Sequence, residues 1–387
     1  MRVIFINLHD TNFLVKPFWP LILRHKVRTF KHKFLLDYAV QHNIKVFDYV
    51  LCSRCTTKFQ RIRNFFKALF VIRFNGYKHG QIDITEHINA DDCIIAYSHY
   101  DEQLDIFPLI QATKVVMGNH FIRIGKNTNL SQLGVSYYAN EIDVTKNAFV
   151  QKHYDLSDVH PILMPYVPAS RFHRSRPFNG RKNKAMAIGT LSTVHGVSGY
   201  DEYVEFAKTE WVQPMRKEIL DRRKEIQSWL DSYISYIHED KTYEVNAGDS
   251  RIRKFCKKVY NRIFGGRQSK YTSFDMVEKF NEYKMVVCPE ELVGVPGIGF
   301  VEGMACGCAY IGLDHSMYRD LGLVPGVHYI SYDGTLEGLK SVVQYYQNHN
   351  EELETIANRG YEFVNKNFNH QKIAQNFFET ILNKQKL

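Results

Sequence analysis

Short apolar runs alternate with longer polar stretches along the first half of the chain. Residues 3–7, 44–49, 92–97, 114–117 and 135–138 are each too brief for a helix and too continuously apolar for a half-solvated strand. They predict buried parallel strands. Residues 33–42 carry their apolar positions at helical spacing, and this alternation predicts a doubly wound α/β domain. Ligands of such sheets gather beyond the carboxyl ends of the strands. That rule points to residues 7–11, to Ser98 and His99, and to Gly118, Asn119 and His120. Asp10 reads either as a ligand contact or as the cap of a following helix.

The second half repeats the pattern with more glycine. Met285-Val286-Val287 ends in Cys288-Pro289, as a buried strand does, and Gly294, Gly297 and Gly299 follow. The spacing predicts a helix opening near Gly299, with Glu302 about one turn in, Gly307 as its stop, and a new strand over 309–312. Backbone amides at that helix start suit a phosphate, and a carboxylate one turn later suits the diol of a ribose. An ordinary β-α-β unit with turn glycines and a surface acid reads equally well from these residues alone. Further on, 329–333 reads as a strand, 336–346 and 351–368 as amphipathic helices. A final helix with Ile373, Phe377, Phe378 and Ile381 on one side is expected to pack back onto the first domain. Residues 174–184 are polar and aperiodic, as a hinge would be. Residues 207–270 form an insertion in which 219–237 is consistent with one long helix, and Thr272 and Asp275 are spaced as a capping box.

The run Gly297-Ile298-Gly299-Phe300-Val301-Glu302-Gly303-Met304-Ala305-Cys306-Gly307 resembles the C-terminal signature of the GT-B glycosyltransferases of retaining family 4 and the related group 1. The resemblance covers the second half well. It implies an α/β GT-B fold, two Rossmann-like doubly wound domains facing across a cleft. Residues 1–173 would be the acceptor domain, 174–369 the nucleotide-sugar domain, and 370–387 the helix packing back. It further implies sugar transfer from a nucleotide-sugar donor to a glycan or lipid-linked acceptor, with retention at the anomeric carbon and no cofactor or metal. Glu302, Gly297, Ile298, Gly299 and Phe300 would contact the nucleotide, together with Gly189, Thr190 and His195 from the 184–196 strand and turn. His120 and Glu291 would face the transferred sugar. The chain departs from the pattern at three places. Gly294 stands where the family has its first glutamate, and Thr190 and His195 stand where it has an arginine and a lysine on the donor diphosphate. Other readings are a non-catalytic relative in an assembly complex and a sugar-nucleotide epimerase of the same fold.

Composition narrows the setting. The 387 residues are 44% hydrophobic and 24% charged, enough for two cores. Seven cysteines, with nothing to complete the Cys52-x-x-Cys55 spacing, argue for free thiols in a reducing compartment. The opening apolar run is too short for a signal peptide and no stretch approaches a membrane span. The expectation is a cytoplasmic protein, soluble or peripheral on the inner face of the inner membrane, working on lipopolysaccharide or capsule. The net charge of +9 is uneven: residues 251–270 hold eight basic and no acidic side chains, and 61–70 is a second basic amphipathic stretch. These read either as core-packed helices with solvated cations or as contacts to an anionic membrane surface. Nucleic acid ranks below both, because the aromatics follow the apolar stripe rather than an exposed platform.

Overall fold

The computed structural model describes residues 1–10, 13–15, 29–51, 57–97, 102–118, 129–193, 200–236, 250, 252–253, 255–257, 259, 274–291 and 294–383. The chain divides into two compact units, Met1–Val167 with Phe368–Leu387, and Pro168–Asn367.

The first unit is built on β1 (Val3–Ile6), β4 (Val46–Tyr49), β5 (Ile82–Thr85), β6 (Cys93–Ala96), β7 (Thr113–Met117), β8 (Tyr137–Asn140) and β9 (His160–Leu163). A separate two-stranded antiparallel pair, β2 (Leu14–Val15) with β3 (Thr29–Phe30), lies outside that sheet. The seven strands run in the order β5-β4-β1-β6-β7-β8-β9, and every pairing is parallel. The chain winds outward one way from β1 and then returns to wind the other way from β6, so the switch point lies between these two strands. β1 and β6 are fully buried along their length, which explains why they appear in the sequence as unbroken apolar runs. The helix His370–Leu382 packs against the helix Lys33–Gln41 and β9, and Ile373, Phe377, Phe378 and Ile381 enter the core of this unit.

The second unit contains β10 (Lys182–Leu191), β11 (Leu230–Tyr236), β12 (Tyr283–Val287), β13 (Ala309–Leu313) and β14 (Ile330–Tyr332), in the order β11-β10-β12-β13-β14 and again all parallel. Two parallel, Rossmann-like sheets in one chain are the α/β composition of the GT-B fold.

Two expectations are corrected here. Residues 219–237 are not one helix: helices Pro214–Asp221 and Arg223–Ile226 lead into β11, which pairs with β10 over seven residues. The β-branched and aromatic residues of Tyr233-Ile234-Ser235-Tyr236 favour a pleated surface, and pairing with the long β10 prevails over helical spacing. The polar run expected to be a hinge is anchored instead. Ser175 N–H donates to Asn281 Oδ1 at 2.8 Å, and buried Arg181 donates to the Cys306 carbonyl at 2.8 Å. Thr272, the first residue of the expected capping box, lies outside the described residues. Asp275 is itself the cap, accepting from the amides of Val277 and Glu278.

Candidate functional site

The carboxyl ends of β10 and β12 are neighbours, and the residues that follow them are tied together by the helix between. Gly189 is the third residue from the end of β10, with φ +145°, and a Cβ there would stand 2.7 Å from Arg216 Nε. Thr190 follows and contributes its carbonyl. Arg216 comes from the helix Pro214–Asp221 and is only 3% exposed. Its Nε donates to the Pro289 carbonyl at 2.8 Å and its Nη1 to the Thr190 carbonyl at 2.9 Å. Its Nη2 lies 3.2 Å from the place a Cβ on Gly297 would take. A buried guanidinium therefore sits under both glycine-bearing turns, bonded to carbonyls at each strand exit. Gln213, the residue before this helix, completes the tie. It accepts from Ser192 N–H at 3.0 Å and donates to Glu291 Oε1 at 3.4 Å.

Arg216 and Gln213 were not singled out from the sequence. One basic residue on a short amphipathic helix carries no local signal, and its significance appears only when β10 and β12 are placed side by side.

The turn after β12 is closed by Glu291 N–H donating to Val295 O and Gly294 N–H to Glu291 O, each at 2.8 Å, with Gly294 at φ +78°. Glu290 is buried, receiving Leu313 N–H at 3.0 Å and the hydroxyl of Tyr318. It is a structural anchor, leaving Glu291 as the acid on the turn.

Gly299 opens the helix Gly299–Ala305, and its role is packing. A Cβ would stand 2.8 Å from Cys288 Sγ and 3.2 Å from Ile188 Cδ1. Gly303, one turn on, meets Val286 Cγ1 at 2.7 Å in the same sense. The pair lets the helix lie directly on β12 and β10. The ring of Phe300 is fully buried, 5.7 Å from Tyr310 and 5.6 Å from Tyr318, so what it offers at this site is confined to its backbone. Ile298 is exposed. Glu302 is held largely out of water, and burial pushes its carboxyl up to about 7 against the opposing pull of Arg171.

Gly189, Thr190, Gly297 and Gly299 are thus brought together around Arg216 and Cys288, with Glu302 on the helix that starts there and Glu291 on the adjoining turn. His120 and His195 lie outside the described residues, as do His99, Cys52, Cys55 and most of 251–270.

In the first unit the residues after β1 follow a tight path. Asn7 adopts φ +50°, and its buried amide group has no hydrogen-bond partner on either atom among the described residues. The next two residues converge on buried Asp48: Leu8 N–H donates to Oδ1 at 2.7 Å, and His9 Nδ1 lies 2.7 Å from Oδ2. Among the described residues the element that follows Asp10 is the pair β2 and β3 rather than a helix. Beyond β7, β8 and β9 is a cavity of about 180 Å³ lined by residues including His32, Phe34, Gly118, Asn140, Tyr166 and His370. Burial, with Lys31 nearby, holds His32 down at about 3, and burial also lowers His370, so both imidazoles are neutral at physiological pH. The cavity offers ring nitrogens and a carboxamide beside apolar walls.

Residues 250–379 match the family model described as "Glycosyl transferase-like". No curated protein matches the sequence. Among solved structures, the chain is similar to Anabaena Alr3699/HepE in complex with UDP, at 11% identity and TM-score 0.49 over 99% of this chain and 100% of that one. It is similar to the sucrose-phosphate synthase of Thermosynechococcus elongatus at 9% identity and TM-score 0.47, over 99% and 98% of the two chains. A glycosyltransferase of Rickettsia africae stands at 11% identity and TM-score 0.46, over 99% of each.

Proposed function

We propose that this chain is a glycosyltransferase that takes a sugar from a nucleotide-sugar donor and passes it to a glycan or lipid-linked acceptor in the assembly of a bacterial surface polysaccharide. The observation that carries the reading is Arg216. The chain has Thr190 and His195 where its resemblance calls for cations, and the buried guanidinium beneath Gly189 and Gly297 puts a positive charge at the same strand exits. In a site shielded from water such a charge acts far more strongly on a phosphate than it would on the surface. The "Glycosyl transferase-like" match over 250–379 covers the turn and helix around it.

In this reading the donor's phosphates rest against Gly297 and Gly189, and the ionised Glu302 carboxylate accepts hydrogen bonds from the ribose hydroxyls. The bond between the anomeric carbon and the phosphate oxygen breaks, and Arg216 stabilises the charge left on the departing nucleotide. A bond to an acceptor oxygen forms, and the acceptor's hydroxyl proton is released to a base. Glu291, oriented by Gln213, faces the sugar, with His120 the candidate from the first unit. The neutral histidines and Asn140 of the first-unit cavity suit a hydroxyl-rich acceptor. Retention at the anomeric carbon and independence from metal remain what the resemblance implies. The reading places the chain in the cytoplasm, soluble or on the inner face of the inner membrane.

The test is a thermal-shift screen with UDP, GDP, ADP, CMP and their sugars, followed by transfer assays with the stabilising donor. One nucleotide class should raise the melting temperature, since a ligand that binds only the folded state stabilises it. Failure of every nucleotide to bind, by melting or calorimetry, would sink the proposal.

A further inference from the structure

The helix Lys58–Phe74 turns its aromatic residues toward solvent. Phe59 is 73% exposed, Phe66 61% and Phe70 68%, and Ile62 and Phe74 are exposed with them. These five recur three or four residues apart, forming one continuous stripe. The core contacts of the helix are Ala68, Val71 and Ile72, on the opposite side. The exposed rings also pack on one another: Phe70 and Phe74 stack at 5.8 Å and Phe65 meets Phe66 edge-on at 5.8 Å. The helix also carries Lys58, Arg61, Arg63 and Lys67, together with Arg73, which donates to the Tyr77 carbonyl at 2.9 Å and lies 4.0 Å from Asp83, and its seventeen residues contain no acid. The helix is held in place independently of that stripe by its core face and by a capping box, Thr57 with Gln60.

We propose that this helix lies along an anionic lipid bilayer, its phenylalanine stripe seated at the acyl boundary and its basic side chains against the lipid phosphates. The sequence alone left core packing open, and the exposure removes that alternative for the stripe. At about 1.5 Å per residue the helix is roughly 25 Å long, and no helix among the described residues is long and apolar enough to cross a membrane. The contact is therefore in the plane of the surface. Charge decides against a second copy of the chain as the occupant. A two-fold interface would bring this acid-free, five-cation helix against itself. Nucleic acid would meet the cations but offers no apolar phase to receive Ile62 and the rings. The proposal deepens the reading of a lipid-linked or surface-polysaccharide acceptor by naming the surface on which the enzyme meets it.

The experiment is co-sedimentation of the full chain with vesicles of phosphatidylcholine alone or mixed with phosphatidylglycerol, at low salt and at about 0.5 M salt, where charge attraction is screened. Binding should be at least tenfold tighter to the anionic vesicles and weaken with salt. The double variants F66S/F70S and R63E/K67E should each lose at least tenfold in vesicle affinity. Both should keep the wild-type melting temperature and nucleotide-induced thermal shift, because the altered side chains lie on the helix surface away from its core face. Absence of binding to anionic vesicles, or binding unchanged in both variants, overturns the proposal. Self-association or oligonucleotide binding that these variants abolish, without vesicle binding, overturns it equally in favour of those occupants. Vesicle binding that persists when no nucleotide binds would leave this proposal standing while removing the donor reading.

Discussion

Arg216 Nη1 donates to the Thr190 carbonyl at 2.9 Å, while Nε of the same guanidinium holds the Pro289 carbonyl at 2.8 Å. One side chain thereby fixes the spacing between the exits of two adjacent parallel strands and places a cation beneath the turns that follow them. Both of these acceptors are backbone carbonyls, so neither hydrogen bond ties the guanidinium to a carboxylate.

Replacing this residue by an apolar one of similar length should damage both roles. Arg216→Met leaves two carbonyls without their donor, at a cost of about 3 kcal/mol in stability, readable in urea denaturation. Where the protein still folds, calorimetry should show at least a tenfold loss of nucleotide diphosphate affinity, with a smaller loss for the corresponding nucleoside. Equal losses for both would mean that the cation does not act on phosphate.

Glu302 gives a pH signature. Its carboxyl stands at about 7 in the folded protein because burial disfavours the charge, against an ordinary value of 4.5. The folded state therefore holds the proton more tightly than the unfolded state. Its contribution to stability is complete below about pH 4.5 and is lost as pH rises through about 7. Denaturation midpoints should fall across that window in the wild type and fall less in Glu302→Gln. Nucleotide affinity should move the other way, rising as the carboxylate forms, and that rise should vanish in the variant.

The glycine at the helix start is expected to be intolerant for a reason of space. Gly299→Ala puts a methyl 2.8 Å from Cys288 Sγ, closer than such atoms approach, and should cost about 1–3 kcal/mol. Adding Cys288→Ala removes the obstructing sulfur. A double-mutant cycle by chemical denaturation should show the two changes to be coupled, the pair being more stable than the sum of the single effects predicts.

Asp48 carries the conformation of the loop after β1. Asp48→Ala leaves the Leu8 amide and the His9 ring without their buried partner, which should cost about 3 kcal/mol. Hydrogen exchange should show the first turn after β1 opening before the rest of the sheet.

Much of this molecule was readable from the order of its residues. β1, β6, β7, β12 and β13 appear as short apolar runs because parallel strands covered on both faces leave no polar alternation. The helix His370–Leu382 was visible because a single face of Ile373, Phe377, Phe378 and Ile381 needs a core. β11 was not legible: Leu230-Asp231-Ser232-Tyr233-Ile234-Ser235-Tyr236 satisfies both periods over so short a span, and the choice is made by pairing with β10. Glycine and glutamate marked the turn and helix at 297–302, since their chemistry is local. Arg216 and Gln213 escaped notice because their meaning is relational. They matter for what two distant strand exits place around them. The phenylalanines of Lys58–Phe74 show the opposite limit: a helical stripe gives the face, and only the folded neighbours tell whether that face is covered.

The helix His370–Leu382 returns to the sheet formed by about the first two-fifths of the sequence. As the polypeptide leaves the ribosome, that sheet is synthesised early and waits, with the places of Phe377, Phe378 and Ile381 empty, through the translation of an entire second unit. Its maturation is thus set by the clock of synthesis, and a nascent chain stalled before residue 368 would expose an unfinished apolar surface to chaperones.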